Sequence, residues 1–270
     1  YSEPGAGSDL ASLKTKAVLE GDEYVVNGHK IWTTLAQHAD WMFCLVRTTS
    51  GDKRQDGISF LLIDMNTPGM EVRPIITIDG GHEVNEVFLT DVRVPAKNLV
   101  GEQDKGWTIA KFLLGNERSG IAGVARSKKA IDRLRDIARG ELEDGEPLLN
   151  TADFSKKIAE LEIDLTALEY TELRTLASES RGKGPGPESS ILKIKGTEIQ
   201  QRITELTMEA VGNYASPWVP AAEAGDNYLA IGPDASHGVS QTYFNNRKTS
   251  IYGGSNEIQR NIIAKMVLGL

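Results

Sequence analysis

Two hydrophobic periods divide the chain. From residue 14 to about residue 94 apolar positions fall in short β-rich runs separated by turn residues: 23–26, 29–33, 41–47, 58–64, 70–78 and 84–94. That texture predicts strands. Asn27-Gly28, lying between two of the runs, predicts a two-residue hairpin, because a type I′ turn takes positive φ at both central residues. With no helical stretch intervening, the strands predict an antiparallel sandwich or barrel-like domain. After Pro95 the period lengthens to the helical value. Residues 105–140 carry Ile109, Leu113, Ile121, Val124, Ile131, Leu134 and Ile137 and read as one long helix stopped at Gly140. Residues 153–181 place Phe154, Ile158, Leu161, Leu165 and Leu168 on one face. The Gly/Pro-rich segment 181–187 ends that helix, and Ser189 or Ser190 can cap the next, which carries Ile194, Ile199, Ile203, Leu206 and Ala210. A polar stretch, 214–237, precedes two last helical pieces, 241–250 and 256–268. Consecutive helices of this length predict a bundle. The expected fold is therefore α+β and multidomain: a β domain over residues 1–103, then a C-terminal four-helix bundle over residues 104–270.

Composition narrows the function classes. The 270 residues are 40% hydrophobic and carry a formal net charge of -8. That balance speaks against a nucleic-acid binder, which needs clustered Lys and Arg against phosphate. Cys44 is the single cysteine, so no internal disulfide forms and a reducing compartment, the bacterial cytoplasm, is expected. Apolar runs such as 41–46 are far shorter than the ~20 residues that span a bilayer. His29, His38, His82 and His237 show no ligand spacing, and no metal site is expected. Tyr1 is not an initiator methionine, which predicts sequence upstream.

Specific motifs supply the chemistry. Tyr1-Ser2-Glu3-Pro4-Gly5-Ala6-Gly7-Ser8-Asp9, Asn27-Gly28-His29-Lys30-Ile31-Trp32-Thr33-Thr34 and Ser250-Ile251-Tyr252-Gly253-Gly254-Ser255-Asn256-Glu257-Ile258-Gln259-Arg260 occur in that order and span nearly the whole chain. Together they resemble the signature segments of acyl-CoA dehydrogenases. The run Gly115-Asn116-Glu117-Arg118-Ser119-Gly120 is most similar to a bacterial subgroup, the large subunits of pimeloyl-CoA dehydrogenase type. The family fold places a helical domain before the sheet, and this chain has no counterpart to it.

The resemblance implies an FAD-dependent oxidoreductase of fatty acid metabolism and β-oxidation type. A carboxylate removes the α proton of an acyl-CoA thioester while flavin N5 takes the β hydrogen, giving a trans-2-enoyl-CoA. It implies Tyr1, Ser2, Trp32, Thr33, Thr34, Ser255 and Glu257 as FAD contacts, with Trp32 beside the ring, Thr34 near N5 and Ser2 at the pyrimidine end. Ser8, Gly115, Asn116 and Gly254 fall on the substrate side. Many members carry their base where Gly253 stands here. Glu117 matches the position from which another branch supplies it, with Arg118 beside it, and the backbone N–H of Gly253 is left to hold the thioester carbonyl. Glu257 replaces the more usual glutamine. An R-x-x-F-G segment and a Q-x-x-G-G-x-G-Y segment, which members use on a neighbouring subunit's FAD, are not matched by residues 139–145 and 208–214. A homo- or hetero-tetramer and an electron-transfer flavoprotein or similar acceptor follow as expected partners. Two other readings stay open: a non-catalytic structural subunit of a heteromeric enzyme, and a related flavoprotein oxidase or monooxygenase.

Overall fold

Side chains alternate between exposed and buried along residues 41–44, and Met42, Cys44 and Val46 share one core while Leu45 is buried in another. Such alternation fixes strand register, because a one-residue slip would expose the whole inner set. In the computed structural model, which describes residues 1–182, 186–217 and 231–270 (backbone alone at residues 115–119 and 121), these runs build one six-stranded sheet. Its strands are β1 (Lys16–Glu20), β2 (Glu23–Thr34), β3 (Trp41–Arg47), β4 (Ile58–Asp64), β5 (Met70–Ile75) and β6 (Val84–Pro95), in the order β4-β3-β1-β2-β6-β5. Pairing is antiparallel except between β1 and β3, which meet in parallel at Lys16 and Arg47. One core gathers Val26, Cys44, Leu61, Val87 and Val92 from four strands of the sheet.

The hairpin expected at Asn27-Gly28 is not formed. β2 runs straight through it, and the β1–β2 connection is made at Gly21-Asp22 instead. Asn27-Gly28 is a bulge in the β2–β6 pairing, where the register shifts between Val26 and Gly28. The Asn27 amide exchanges hydrogen bonds with Asp91, and a Cβ on Gly28 would lie 2.3 Å from Thr15 Oγ1. The glycine serves close approach, not a turn.

The loop before β1 is tied to the sheet by a buried ion pair. Lys30 and Glu3 are 2.8 Å apart, the Lys30 side chain fully enclosed. Lys30 Nζ also donates to the Leu45 carbonyl at 2.7 Å, and Glu3 accepts from the backbone N–H groups of Lys14 and Thr15.

The helices are α1 (Gly106–Ile121), α2 (Val124–Gly140), α3 (Ala152–Glu179), α4 (Glu188–Val211), α5 (Val239–Asn246) and α6 (Asn256–Ile263). The single long helix expected over 105–140 is broken between α1 and α2. Gly123 takes φ 61°, and a Cβ on Gly196 of α4 would come within 2.6 Å of the Ala122 carbonyl oxygen. The chain leaves helical geometry where α4 packs most closely. Ser189 and Ser190 do not cap α4. Pro187 holds the cap position, and Ser190 is buried within the first turn. The predicted apolar faces of α3 and α4, apart from Ile194, are buried together with α2 in one core. Residues 142–147 form a short exposed hairpin, β7 (Leu142–Glu143) with β8 (Glu146–Pro147). The contacts divide the chain into two compact units, one of Tyr1–Thr77 with Gly81–Leu114 and one of Ile78–Gly80 with Gly115–Leu270. Among the described residues no helix is long and apolar enough to cross a membrane.

Burial alone would push the Glu3 carboxyl up, but the Lys30 ammonium and the hydrogen bonds it receives outweigh that and hold it below its ordinary value. Its stabilisation is complete above the unfolded value of 4.5 and is lost as pH falls through the lower folded value. Glu3→Gln leaves Lys30 buried without its counter-charge and is expected to cost about 3 kcal/mol at neutral pH. In urea titrations the wild-type and variant midpoints should converge as the pH is lowered into the acid range.

Candidate active site

In the β unit the predicted contact residues gather on one strand and the loop bonded to it. Trp32 has φ 60°, an outlier for a bulky residue, and sits where the β2–β6 register shifts between Lys30 and Thr33. Its indole is 57% exposed. The distortion is held from both sides: Ile31 N–H donates to the Ser2 carbonyl at 3.0 Å, Asn85 Nδ2 donates to the Thr33 carbonyl at 3.1 Å, and Leu35 N–H donates to the Glu83 carbonyl at 2.8 Å. Asn85 is itself buried and bonded to Gln37 and His82. Strain of this kind persists only where its surroundings over-determine it, and it clusters at functional sites. The result is an exposed aromatic wall with Thr34, also exposed, two residues on. A planar conjugated ring with polar edge atoms, such as the flavin the resemblance implies, fits a surface of that chemistry. Tyr1 packs edge-on to Phe43 at 4.9 Å, and Phe43 stacks on Phe60 at 5.4 Å. Ser8 lies exposed in the same N-terminal loop.

In the helical unit Gly253, Gly254, Ser255 and Glu257 share one turn leading into α6. Gly253 and Gly254 take φ 63° and 82°, conformations that glycine adopts without the penalty of a side chain. Ser255 caps α6, its hydroxyl accepting from Ile258 N–H at 3.3 Å. The Glu257 carboxyl is held below its ordinary value, first by its own backbone N–H and then by the Ser255 hydroxyl. It is therefore an anion on the exposed first turn of α6.

Beneath this turn lies a polar cluster that sequence reasoning missed. Ser190, Lys193, Thr197 and Gln201 of α4 all reach the segment 246–259. Lys193 is fully buried, and burial lowers its pKa to about 8, opposed by the Glu257 carboxylate. The available signal was the spacing of three, four and four between these polar residues, which marks one helical stripe. The Glu3–Lys30 pair, both of whose members sit inside the quoted motifs, was missed as well. Gly115, Asn116, Glu117 and Arg118 fall in α1, where side chains lie outside the described residues.

Residues 1–92 match the family profile of the acyl-CoA dehydrogenase middle domain, and residues 104–268 that of the acyl-CoA dehydrogenase C-terminal domain. Acyl-CoA dehydrogenase IpdE1 of Mycobacterium tuberculosis is 36% identical over 100% of this chain and 66% of its own length. Cyclohexane-1-carbonyl-CoA dehydrogenase of Geobacter metallireducens is 30% identical over 99% of this chain and 66% of its own. The crystal structure of the ChsE4-ChsE5 complex from Mycobacterium tuberculosis superposes with a TM-score of 0.84 at 33% identity, covering 100% of this chain and 68% of that one. The chain thus spans about two thirds of the length of these relatives.

Two substitutions separate strained site residues from packing residues. Trp32→Gly relieves the positive φ and removes a mostly exposed ring, so its unfolding midpoint should stay within about 1 kcal/mol of wild type, against the 3–5 kcal/mol of a core Trp→Ala. Gly254→Ala places a Cβ 2.5 Å from Gln259 Nε2 at φ 82° and should cost about 2 kcal/mol by the same measurement.

Proposed function

The chain belongs to the acyl-CoA dehydrogenase family, and from that premise we propose that it carries the base, the thioester clamp and much of the flavin contact surface of an FAD-dependent α,β-dehydrogenation of an acyl-CoA. The observation that carries this reading is the turn at Gly253. It has no side chain to serve as a base, yet its φ of 63° leaves a backbone donor in place for a thioester oxygen.

Glu117 is then the base that takes the α proton. A glutamate does so at neutral pH when a dry site raises its pKa and the clamped thioester acidifies the carbon. Arg118 orients that carboxylate. The N–H of Gly253 stabilises the negative charge that develops on the thioester oxygen, while Gly254 and Asn116 line the acyl side with Gly115. FAD, when bound, would supply the hydride acceptor. Trp32 and Thr34 would hold its ring and keep water from it, with Tyr1, Ser2 and Thr33. Ser255 and Glu257 would serve its ribityl-phosphate arm, although an anionic Glu257 fits poorly beside a diphosphate.

Two finer assignments follow. A missing side chain at Gly253 leaves room for branched or cyclic acyl groups, in keeping with a relative named for cyclohexane-1-carbonyl-CoA. Residues 139–145 and 208–214 lack the segments used on a neighbour's flavin. We therefore assign the chain to a heteromeric enzyme whose partner supplies those contacts, in keeping with the two-component ChsE4-ChsE5 relative. An electron-transfer flavoprotein is the expected acceptor.

The test is anaerobic bleaching of the flavin band with branched and cyclic acyl-CoA thioesters. Glu117→Gln should retain FAD and slow bleaching by about 10²–10⁴-fold. Undiminished bleaching in the variant would place the base elsewhere, and a wild type that binds no flavin would leave the structural-subunit reading.

A further inference from the structure

We propose that Lys193 is a positioning residue that grips both ends of the turn 250–255 and so sets the direction of the Gly253 and Gly254 N–H groups, a role that rests on the reading of this turn as the thioester clamp. Its Nζ donates to the Thr249 carbonyl, just before the turn, at 2.8 Å and to Asn256 Oδ1, just after it, at 3.1 Å. Both acceptors are buried. One cation therefore spans the two chain segments that the turn connects.

The neighbours on the α4 stripe complete the grip. Ser190 donates to Gln259 Oε1 at 2.8 Å, which leaves Gln259 Nε2 directly under Gly254. Thr197 and the Asn256 amide are within hydrogen-bond distance of each other, and Gln201 Nε2 donates to the Ser250 hydroxyl at 3.3 Å. A helix face packed on a neighbouring segment is sealed more cheaply by apolar side chains. Four polar residues in that position make sense only if particular oxygens of the turn segment must be held in particular places.

The charge belongs to the device. The lysine has no carboxylate in hydrogen-bond contact among the described residues, and burial brings its pKa to about 8, with Glu257 acting against that shift. Of the other charges on the segment, Arg247 pairs with Glu205 and Arg260 with Glu198. Below about pH 8 an ammonium makes charge-assisted bonds to both ends, and above it an amine makes weaker ones.

Hydrogen exchange on the purified protein tests this without reference to turnover. In Lys193→Met the amides of residues 250–255 should exchange at least about tenfold faster at neutral pH, while those of α3 change by less than about twofold, as expected of local rather than global opening. Wild type should acquire the same excess, corrected for the intrinsic rate, as pH is raised through about 8, and the variant should show no such inflection. Unchanged turn exchange in a folded variant would overturn the proposal. Should Lys193→Met not fold, the wild-type pH series decides, a flat corrected rate across that range being the overturning result. Faster turn exchange with undiminished flavin bleaching would leave Lys193 as the grip and remove the turn from the active site, so the two readings fail separately.

Discussion

A buried ammonium must be surrounded by oxygens, and in each compact unit that requirement organises the segment bearing the candidate site residues. Lys30 and Lys193 are among the largest fully buried side chains. Each donates to main-chain and side-chain oxygens: Lys30 to the Leu45 and Tyr1 carbonyls and to Glu3, Lys193 to the Thr249 carbonyl and to Asn256. Enclosing an isolated charge is prohibitive, so each lysine dictates where its acceptors stand. Through Glu3 the first fixes the N-terminal loop, whose Ser2 carbonyl then accepts from Ile31 beside the strained Trp32. Through Thr249 and Asn256 the second fixes the ends of the glycine turn. A buried ion pair is weak evidence of net stability, because apolar residues of similar volume often do as well. What the pairs supply here is a definite place for particular oxygens.

The two lysines also differ in a way that follows from their partners. Beside Lys30 the Glu3 carboxyl is held below its ordinary value despite its burial. The hydrogen-bond acceptors found for Lys193 are neutral, and desolvation dominates. The same residue type, equally enclosed, thus meets a counter-charge in one unit and neutral hydrogen-bond acceptors in the other.

Periodicity made most of this fold legible. β3 and β4 begin and end where the apolar runs at 41–47 and 58–64 do, and the apolar spacing of α3 and α4 maps onto one core. Local signals failed where a distant segment decided the backbone. Asn27-Gly28 has the composition of a turn, but Thr15 and Asp91 hold it as a bulge. The break at Gly123 depends on the approach of Gly196, more than seventy residues away, which no window on α1 and α2 contains. Lys16–Glu20 went unread as a strand because only Ala17 in it is buried.

Of the candidate site, the glycine turn was legible in sequence, since positive φ at Gly253 and Gly254 favours glycine. It was illegible in its supports. Ser190, Lys193, Thr197 and Gln201 look like a solvated stripe on a helix, and nothing in their spacing says that a second segment, some fifty to seventy residues later, will cover them. The same logic bears on Gly253. A side chain at φ 63° adds backbone strain of about 1–2 kcal/mol for an L residue, a cost worth meeting only if that side chain does chemistry. On the proposal that the base is Glu117, glycine is the residue the turn itself selects, and a backbone donor is what the turn would supply.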